Sequence, residues 1–100
     1  MPEIGAVAKK VRSKNAGPFW LTIDIFCGDA PSFERISSSL STDRVATALN
    51  VSPDTIKRFD IEALQVIKIS LPRPTVQGSI DDRDMHGAAW ASVIAELEIN

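Results

Sequence analysis

The chain contains one cysteine, one histidine and no tyrosine among its 100 residues. A single cysteine excludes an intrachain disulfide and a paired-cysteine metal site, and we expect Cys27 to pack as a small hydrophobe within its apolar run. A single histidine makes a metal site difficult to complete, because such a site needs about three or four protein ligands. We therefore expect neither a metal ion nor another cofactor.

The sequence also lacks a basic surplus and a long apolar segment. Eleven Lys and Arg residues stand against thirteen Asp and Glu residues, whereas a protein that neutralises a phosphate backbone needs an excess of cations. Neither a signal peptide nor a membrane span is recognisable. We expect a soluble cytoplasmic protein with no nucleic acid or membrane partner, in which residues 1–10 are an N-terminal extension and residues 11–100 form one domain.

The strongest strand pattern is FWLTIDIFC, residues 19–27, in which apolar residues alternate with a second set of side chains. After Gly28, Asp29 or Ser32 can cap a short helix, which the serines at 37–39 interrupt. Ser41 or Thr42 begins a clearer helix, and Asn50 can end it. A helical turn running into a short strand is predicted for residues 55–61, and a further strand for residues 63–71.

The C-terminal third begins with a predicted loop over residues 72–86, which is rich in proline, glycine and aspartate. An alanine-rich helix is predicted for residues 87–92. Alternation of Val93, Ala95, Leu97 and Ile99 with two glutamates predicts a last strand. The resulting succession βαββαβ indicates an α+β fold, a ferredoxin-like sandwich in which helices cover one face of an antiparallel sheet.

Candidate binding residues precede the first predicted strand and are Arg12, Ser13, Lys14, Asn15 and Gly17. An arginine fork matches a carboxylate or phosphate, lysine adds a compact charge, and glycine lets backbone N–H groups approach the same anion. The same composition also suits an exposed loop whose cations contribute only to solubility. The segment is no known phosphate-loop motif.

A second group of candidates lies in the C-terminal loop. Asp84 and His86 can act as a general acid and base, since carboxylate and imidazole are suited to proton transfer. The alternative is that Asp84 caps the helix predicted after it while Arg83 pairs with a nearby carboxylate. Lys68 and Arg73, at the end of the strand predicted for residues 63–71, are either exposed charges or neighbours of the first loop.

Several blocks of the chain resemble a known family. They are VRSKNAGPFWLTIDIF, LSTDRVATALNVSPDTI, LQVIKISLPRP and GSIDDRDMHGAAWASVIAELEI, which together cover most of residues 11–99. The chain is similar to the small uncharacterised domains that accompany acyclic-terpene-utilisation (AtuA-like) proteins. Its first block also resembles the Arg-Ser-Gly-Asp-Lys-Gly block before the first strand of the C-terminal ferredoxin-fold domain of AtuA-like proteins. The chain departs from the family pattern at Cys27, at Met85–His86 and at Ala89–Trp90.

This resemblance implies a small subunit that works with a larger AtuA-like chain. The assembly is expected to be a hydratase or dehydratase, a lyase acting on a carboxylate or acyl-thioester substrate. Arg12, Lys14 and Asn15 would hold the substrate anion or line the subunit boundary, and Asp84 and His86 would approach the same cleft. Two alternatives remain open, a freestanding module that binds an anionic metabolite and a structural homo-oligomer.

Overall fold

Two strands with alternating aliphatic side chains form the centre of the sheet. In the computed structural model, which describes residues 2–17, 19–73 and 90–99, β2 (Trp20–Phe26) pairs antiparallel with β4 (Val66–Pro72). Six aliphatic residues on one side of this pair are fully buried: Leu21, Ile23, Ile25, Ile67, Ile69 and Leu71. The strand predicted for residues 19–27 is confirmed. The strand predicted for residues 63–71 is confirmed from Val66 onward, because Glu62–Leu64 form a 3₁₀ turn.

Two shorter strands complete the sheet at its edges. β1 (Lys10–Asn15) lies beside β2, and β3 (Lys57–Ile61) lies beside β4, so that the strand order is β1-β2-β4-β3. Every neighbouring pair is antiparallel. The sheet is therefore two hairpins joined through their central strands.

The helices are α1 (Ile4–Val7), α2 (Ala30–Ser39), α3 (Thr42–Leu49) and α4 (Trp90–Ala95), with 3₁₀ turns at Pro53–Thr55 and Glu62–Leu64. The Asp29 carboxylate accepts a hydrogen bond from the Ser32 N–H at 2.8 Å, and the Ser41 hydroxyl accepts one from the Arg44 N–H at 3.2 Å. Asn50 ends α3 in the left-handed conformation, with a φ of 57°. These predicted caps are confirmed.

All four helices contribute side chains to one core on one side of the sheet. The buried helical residues are Ile4, Phe33, Ile36, Val45, Ala46, Leu49 and Ile94. An antiparallel sheet with helices on one face is thus confirmed for the described residues. Ile4, in the stretch predicted to be an extension, is fully buried.

The opposite side of the sheet, which we call the open face, is largely polar. By strand register, the open face consists of Lys10, Arg12, Lys14, Trp20, Thr22, Asp24, Phe26, Lys57, Phe59, Ile61, Val66, Lys68, Ser70 and Pro72.

Several sequence predictions need correction. Residues 10–15 form strand β1 rather than a loop, because an edge strand buries only half of its side chains and Val11 is its one apolar residue. Residues 93–99 are not a strand: α4 runs to Ala95, since Trp90, Val93, Ile94 and Leu97 also have helical spacing and all pack on the core. α2 continues through Ser39, so the serines at 37–39 do not interrupt it. Because β1 and β2 follow each other directly and α4 includes residues 93–95, the ferredoxin-like βαββαβ order is not confirmed for the described elements.

An ionic cluster attaches edge strand β3 to the end of α2. The Arg58 guanidinium lies 2.7 Å from the Asp60 carboxylate and also donates hydrogen bonds to the backbone carbonyls of Ser37 and Leu40. The Ser37 hydroxyl donates to the second oxygen of the same carboxylate. Burial raises the pKa of Asp60, but the hydrogen bonds from Arg58 and Ser37, together with the Arg58 charge, outweigh it and hold that pKa below its ordinary value.

Leu21→Ala tests the buried face of the central pair. Because Leu21 is fully buried, we expect its truncation to lower the free energy of unfolding by about 3 kcal/mol, measured by urea denaturation. Leu64→Ala is the matched control, since Leu64 is 69% exposed and its loss should cost within about 0.5 kcal/mol. Equal effects of the two substitutions would contradict the assigned core.

Asp60→Asn tests the cluster through its pH dependence. The pKa of Asp60 is lower in the folded chain than in the unfolded chain, where a carboxyl group has a pKa of about 4. The carboxylate therefore stabilises the fold fully at pH values above about 4, and this stability is lost as pH falls through the folded pKa. The variant should be less stable at neutral pH and lose less stability on acidification, as measured by urea midpoints. Asp54→Asn, an exposed carboxylate in a 3₁₀ turn, should retain the wild-type profile. An unchanged profile in Asp60→Asn would refute the assignment.

Candidate functional site

Strand alternation divides the predicted binding segment between the two faces of the sheet. Arg12 and Lys14 lie on the open face opposite Asp24 and Thr22 of β2, and both cations are exposed. Ser13 and Asn15 point to the helix-covered face and are partly buried. Because β-strand side chains alternate strictly, these four residues do not surround one ligand.

The two polar residues on the helix side have structural partners. The Ser13 hydroxyl accepts a hydrogen bond from the Ala91 N–H at 2.8 Å, in the first turn of α4. The Asn15 amide oxygen accepts one from the Arg73 guanidinium at 2.6 Å, and Arg73 is only 8% exposed. Ser13 and Asn15 thus hold the start of α4 and the residue after β4.

Gly17 belongs to the turn of the first hairpin. Its φ of +82° lies in the left-handed region that favours glycine. The Ala16 N–H donates to the Trp20 carbonyl at 2.9 Å and closes the hairpin. The position therefore has a conformational reason for glycine that is independent of any ligand.

Asp84 and His86, the predicted acid and base, lie outside the described residues.

The open face gathers more cations than the predicted segment contained. Its charged residues are five cations and one carboxylate: Lys10, Arg12, Lys14, Lys57, Lys68 and Asp24. Register places Asp24 between Arg12 and Lys68, one on each neighbouring strand. The whole chain has a net charge of −2, so the cations are segregated on this face. In the sequence, the recurrence of cations at every second residue, Lys10, Arg12 and Lys14, is the pattern that indicates a cationic strand face.

Aromatic rings lie among these cations. Trp20 is 38% exposed and Phe59 is 53% exposed, so both rings are accessible to solvent although they lie in strands. Lys57 reaches across β4 and places its ammonium 5.5 Å from the centre of the Trp20 ring, within cation–π range. The Thr22 hydroxyl is buried on this face and has no hydrogen-bond partner in the described part of the chain.

One end of the open face is concave. A depression of about 410 Å³ is lined by Lys9, Lys10, Arg12 and Phe26. Three cations beside an aromatic ring suit an anionic group with an apolar portion. A second depression, of about 320 Å³, lies beside α3 and is lined by Asp43, Arg44, Thr47, Ala48 and Leu97.

Cys27 has the environment of a packing residue. Its side chain is 2% exposed, and burial, aided by the charges of Asp60 and Asp29, raises the pKa of the thiol to about 11. A nucleophilic cysteine needs a thiolate near neutral pH, which such a pKa excludes. The prediction that Cys27 packs as a small hydrophobe is confirmed.

No helix in the described ranges is long and apolar enough to cross a membrane.

Alanine substitutions along β1 test the division of the segment. Asn15→Ala should lower the free energy of unfolding by about 1–3 kcal/mol, because it removes a hydrogen bond to the buried Arg73 guanidinium. Ser13→Ala should cost about 1 kcal/mol through the lost bond to α4. Arg12→Ala and Lys14→Ala are the controls and should stay within about 0.5 kcal/mol. Urea denaturation measures all four, and a larger loss at Lys14 than at Asn15 would contradict the alternation.

A known protein family matches this chain. A search of curated proteins and of solved structures found no match. Residues 4–98 match a family described as "Domain of unknown function (DUF4387)". This match covers nearly the whole chain, from α1 to the segment after α4. The chain is therefore a member of the DUF4387 family.

Proposed function

We propose that this chain is the small subunit of a two-component assembly with a larger AtuA-like protein, acting as a hydratase or dehydratase on a carboxylate or acyl-thioester substrate. The observation that carries the proposal is the open face, where cations and aromatic rings are exposed to solvent. A small-molecule site normally encloses most of its ligand, and an open sheet face does so only when another surface covers it. A partner chain would supply that surface.

The division of β1 supports distinct roles within the segment. Arg12 and Lys14, on the open face, are the residues available to hold a substrate anion or to line the subunit boundary. Ser13 and Asn15 maintain the adjoining framework through Ala91 and Arg73. Asp84 and His86 are proposed to supply the acid and base, since dehydration requires removal of one proton and protonation of a leaving hydroxyl.

A second candidate function is a freestanding module that binds an anionic metabolite. The depression lined by Lys9, Lys10, Arg12 and Phe26 favours it, because these residues offer charge and an apolar wall without a partner. A symmetric homo-oligomer built on the open face is disfavoured, since five cations of one copy would meet five of the other.

Co-expression tests the proposal. The untagged chain should co-purify with a tagged AtuA-like large chain encoded in the same genome, and the complex should show lyase activity that neither chain shows alone. Arg12→Ala combined with Lys14→Ala should weaken the complex or lower its activity by about tenfold or more, because both cations are proposed to hold the substrate anion or to line the subunit boundary. The fold should be retained, since both side chains are exposed.

Two further variants separate chemistry from assembly. Asp84→Asn and His86→Gln should abolish turnover while the complex still forms. Arg35→Ala, an exposed cation on α2, is the control and should leave complex and activity unchanged. A monodisperse single chain that never associates with the large chain, and that binds carboxylates unaided, would replace the proposal by the binding module.

A further inference from the structure

The distribution of charge over the fold is strongly uneven. The open face carries five cations and one carboxylate, whereas the chain as a whole is acidic by two charges. The rest of the protein therefore has an acidic excess. A surface of one sign on a protein of the opposite net charge attracts a complementary partner and orients it during encounter.

We propose that the open face is a docking surface for an acidic protein surface. This docking surface rests on the proposed function in one respect, because the large chain is the protein expected to carry the acidic surface. Exposed tryptophan, phenylalanine and arginine are enriched in protein interfaces, and here Trp20, Phe59 and Arg12 lie on one sheet face.

The spacing of the cations fits a polypeptide partner. Lys10, Arg12 and Lys14 recur at every second residue of β1, which is a repeat of about 7 Å along the strand. Lys57 and Lys68 lie on the other hairpin, so that positive charge extends from β1 across the sheet to β3. Carboxylates on an acidic surface can pair with such a dispersed set, while Trp20 and Phe59 provide the apolar contacts.

A second copy of the chain does not fit the open face in a symmetric dimer. An isologous interface brings the same patch of both copies together, and each copy would oppose five cations to five cations. Like charges in contact disfavour association by several kcal/mol. Charge complementarity therefore points to a different protein.

A single-stranded nucleic acid fits less well than an acidic protein. Such ligands stack successive bases on neighbouring aromatic side chains. Trp20 and Phe26 lie at opposite ends of β2, about 20 Å apart along the strand. The ring of Trp20 already has the Lys57 ammonium 5.5 Å from its centre. Phe59 lies on β3, two strands and so about 10 Å from β2. The three aromatic residues of the open face are therefore placed as separate apolar contacts and not as a stacking platform.

The first test uses the chain alone with a short poly-L-glutamate peptide in a low-salt NMR titration. Peptide-induced shifts should map to residues of the open face, and the affinity should fall steeply with added salt. Lys10→Glu and Lys14→Glu should each weaken binding by about tenfold. Arg35→Glu, the same charge change on α2, is the matched control and should leave the affinity nearly unchanged.

Lys10→Gln and Lys14→Gln remove the positive charge without introducing a negative one. They therefore test the charge itself if a reversal variant misfolds. They should give intermediate losses of affinity. Absence of binding, shifts confined to the helices, or equal effects of Arg35→Glu and Lys14→Glu would overturn the proposal. Tighter binding of oligodeoxythymidine than of the peptide, or self-association that protects the open face, would also overturn it.

The second test uses the complex with the large chain and separates the two proposals. Release of the large chain by Lys10→Glu and Lys14→Glu, but not by Arg35→Glu, supports the docking surface. A complex that resists both reversals and high salt overturns the docking surface and leaves the assembly intact. Poly-L-glutamate bound at the open face without any complex supports the docking surface and refutes the proposed assembly.

Discussion

The pairing of β2 with β4 is the constraint on which the remaining structure depends. Their six aliphatic residues form the floor of the core, and the four helices pack on that floor. Because side chains of a strand alternate between faces, burial of one set leaves the other set on the far side of the sheet. A shift of one residue in register would exchange the aliphatic and polar sets, so the core also determines which residues the open face presents.

Much of the framework follows from local sequence. The alternating pattern of FWLTIDIFC identifies β2, and the Ser41 cap and left-handed Asn50 mark the two ends of α3. β1 is not recognisable from such a pattern, because its inner face holds Val11, Ser13 and Asn15. Two of these residues are polar, and their hydrogen bonds are made with partners distant in sequence. The C-terminal segment fits both periods, and only its position on the core selects the helix.

The candidate site is less accessible from sequence than the fold. The cation repeat on β1 is visible in the sequence, but Lys57 and Lys68 join it only through the register of two other strands. Residues adjacent in sequence were expected to act together, yet Arg12 and Ser13 lie on opposite faces. Spatial grouping of polar residues in a sheet depends on long-range pairing, which composition and spacing do not contain. The roles predicted for Asp84 and His86 stay predictions.

The contacts of Ser13 and Asn15 fix edge strand β1 to parts of the chain that are distant in sequence. The Ser13 hydroxyl accepts from the Ala91 N–H, 78 positions further along, and the Asn15 amide oxygen accepts from the Arg73 guanidinium, 58 positions further along. Val11 is the one apolar residue on the inner side of β1, so these polar contacts supplement the pairing of β1 with β2. Display of the β1 cations on the open face is thereby coupled to the positions of α4 and of the residue after β4.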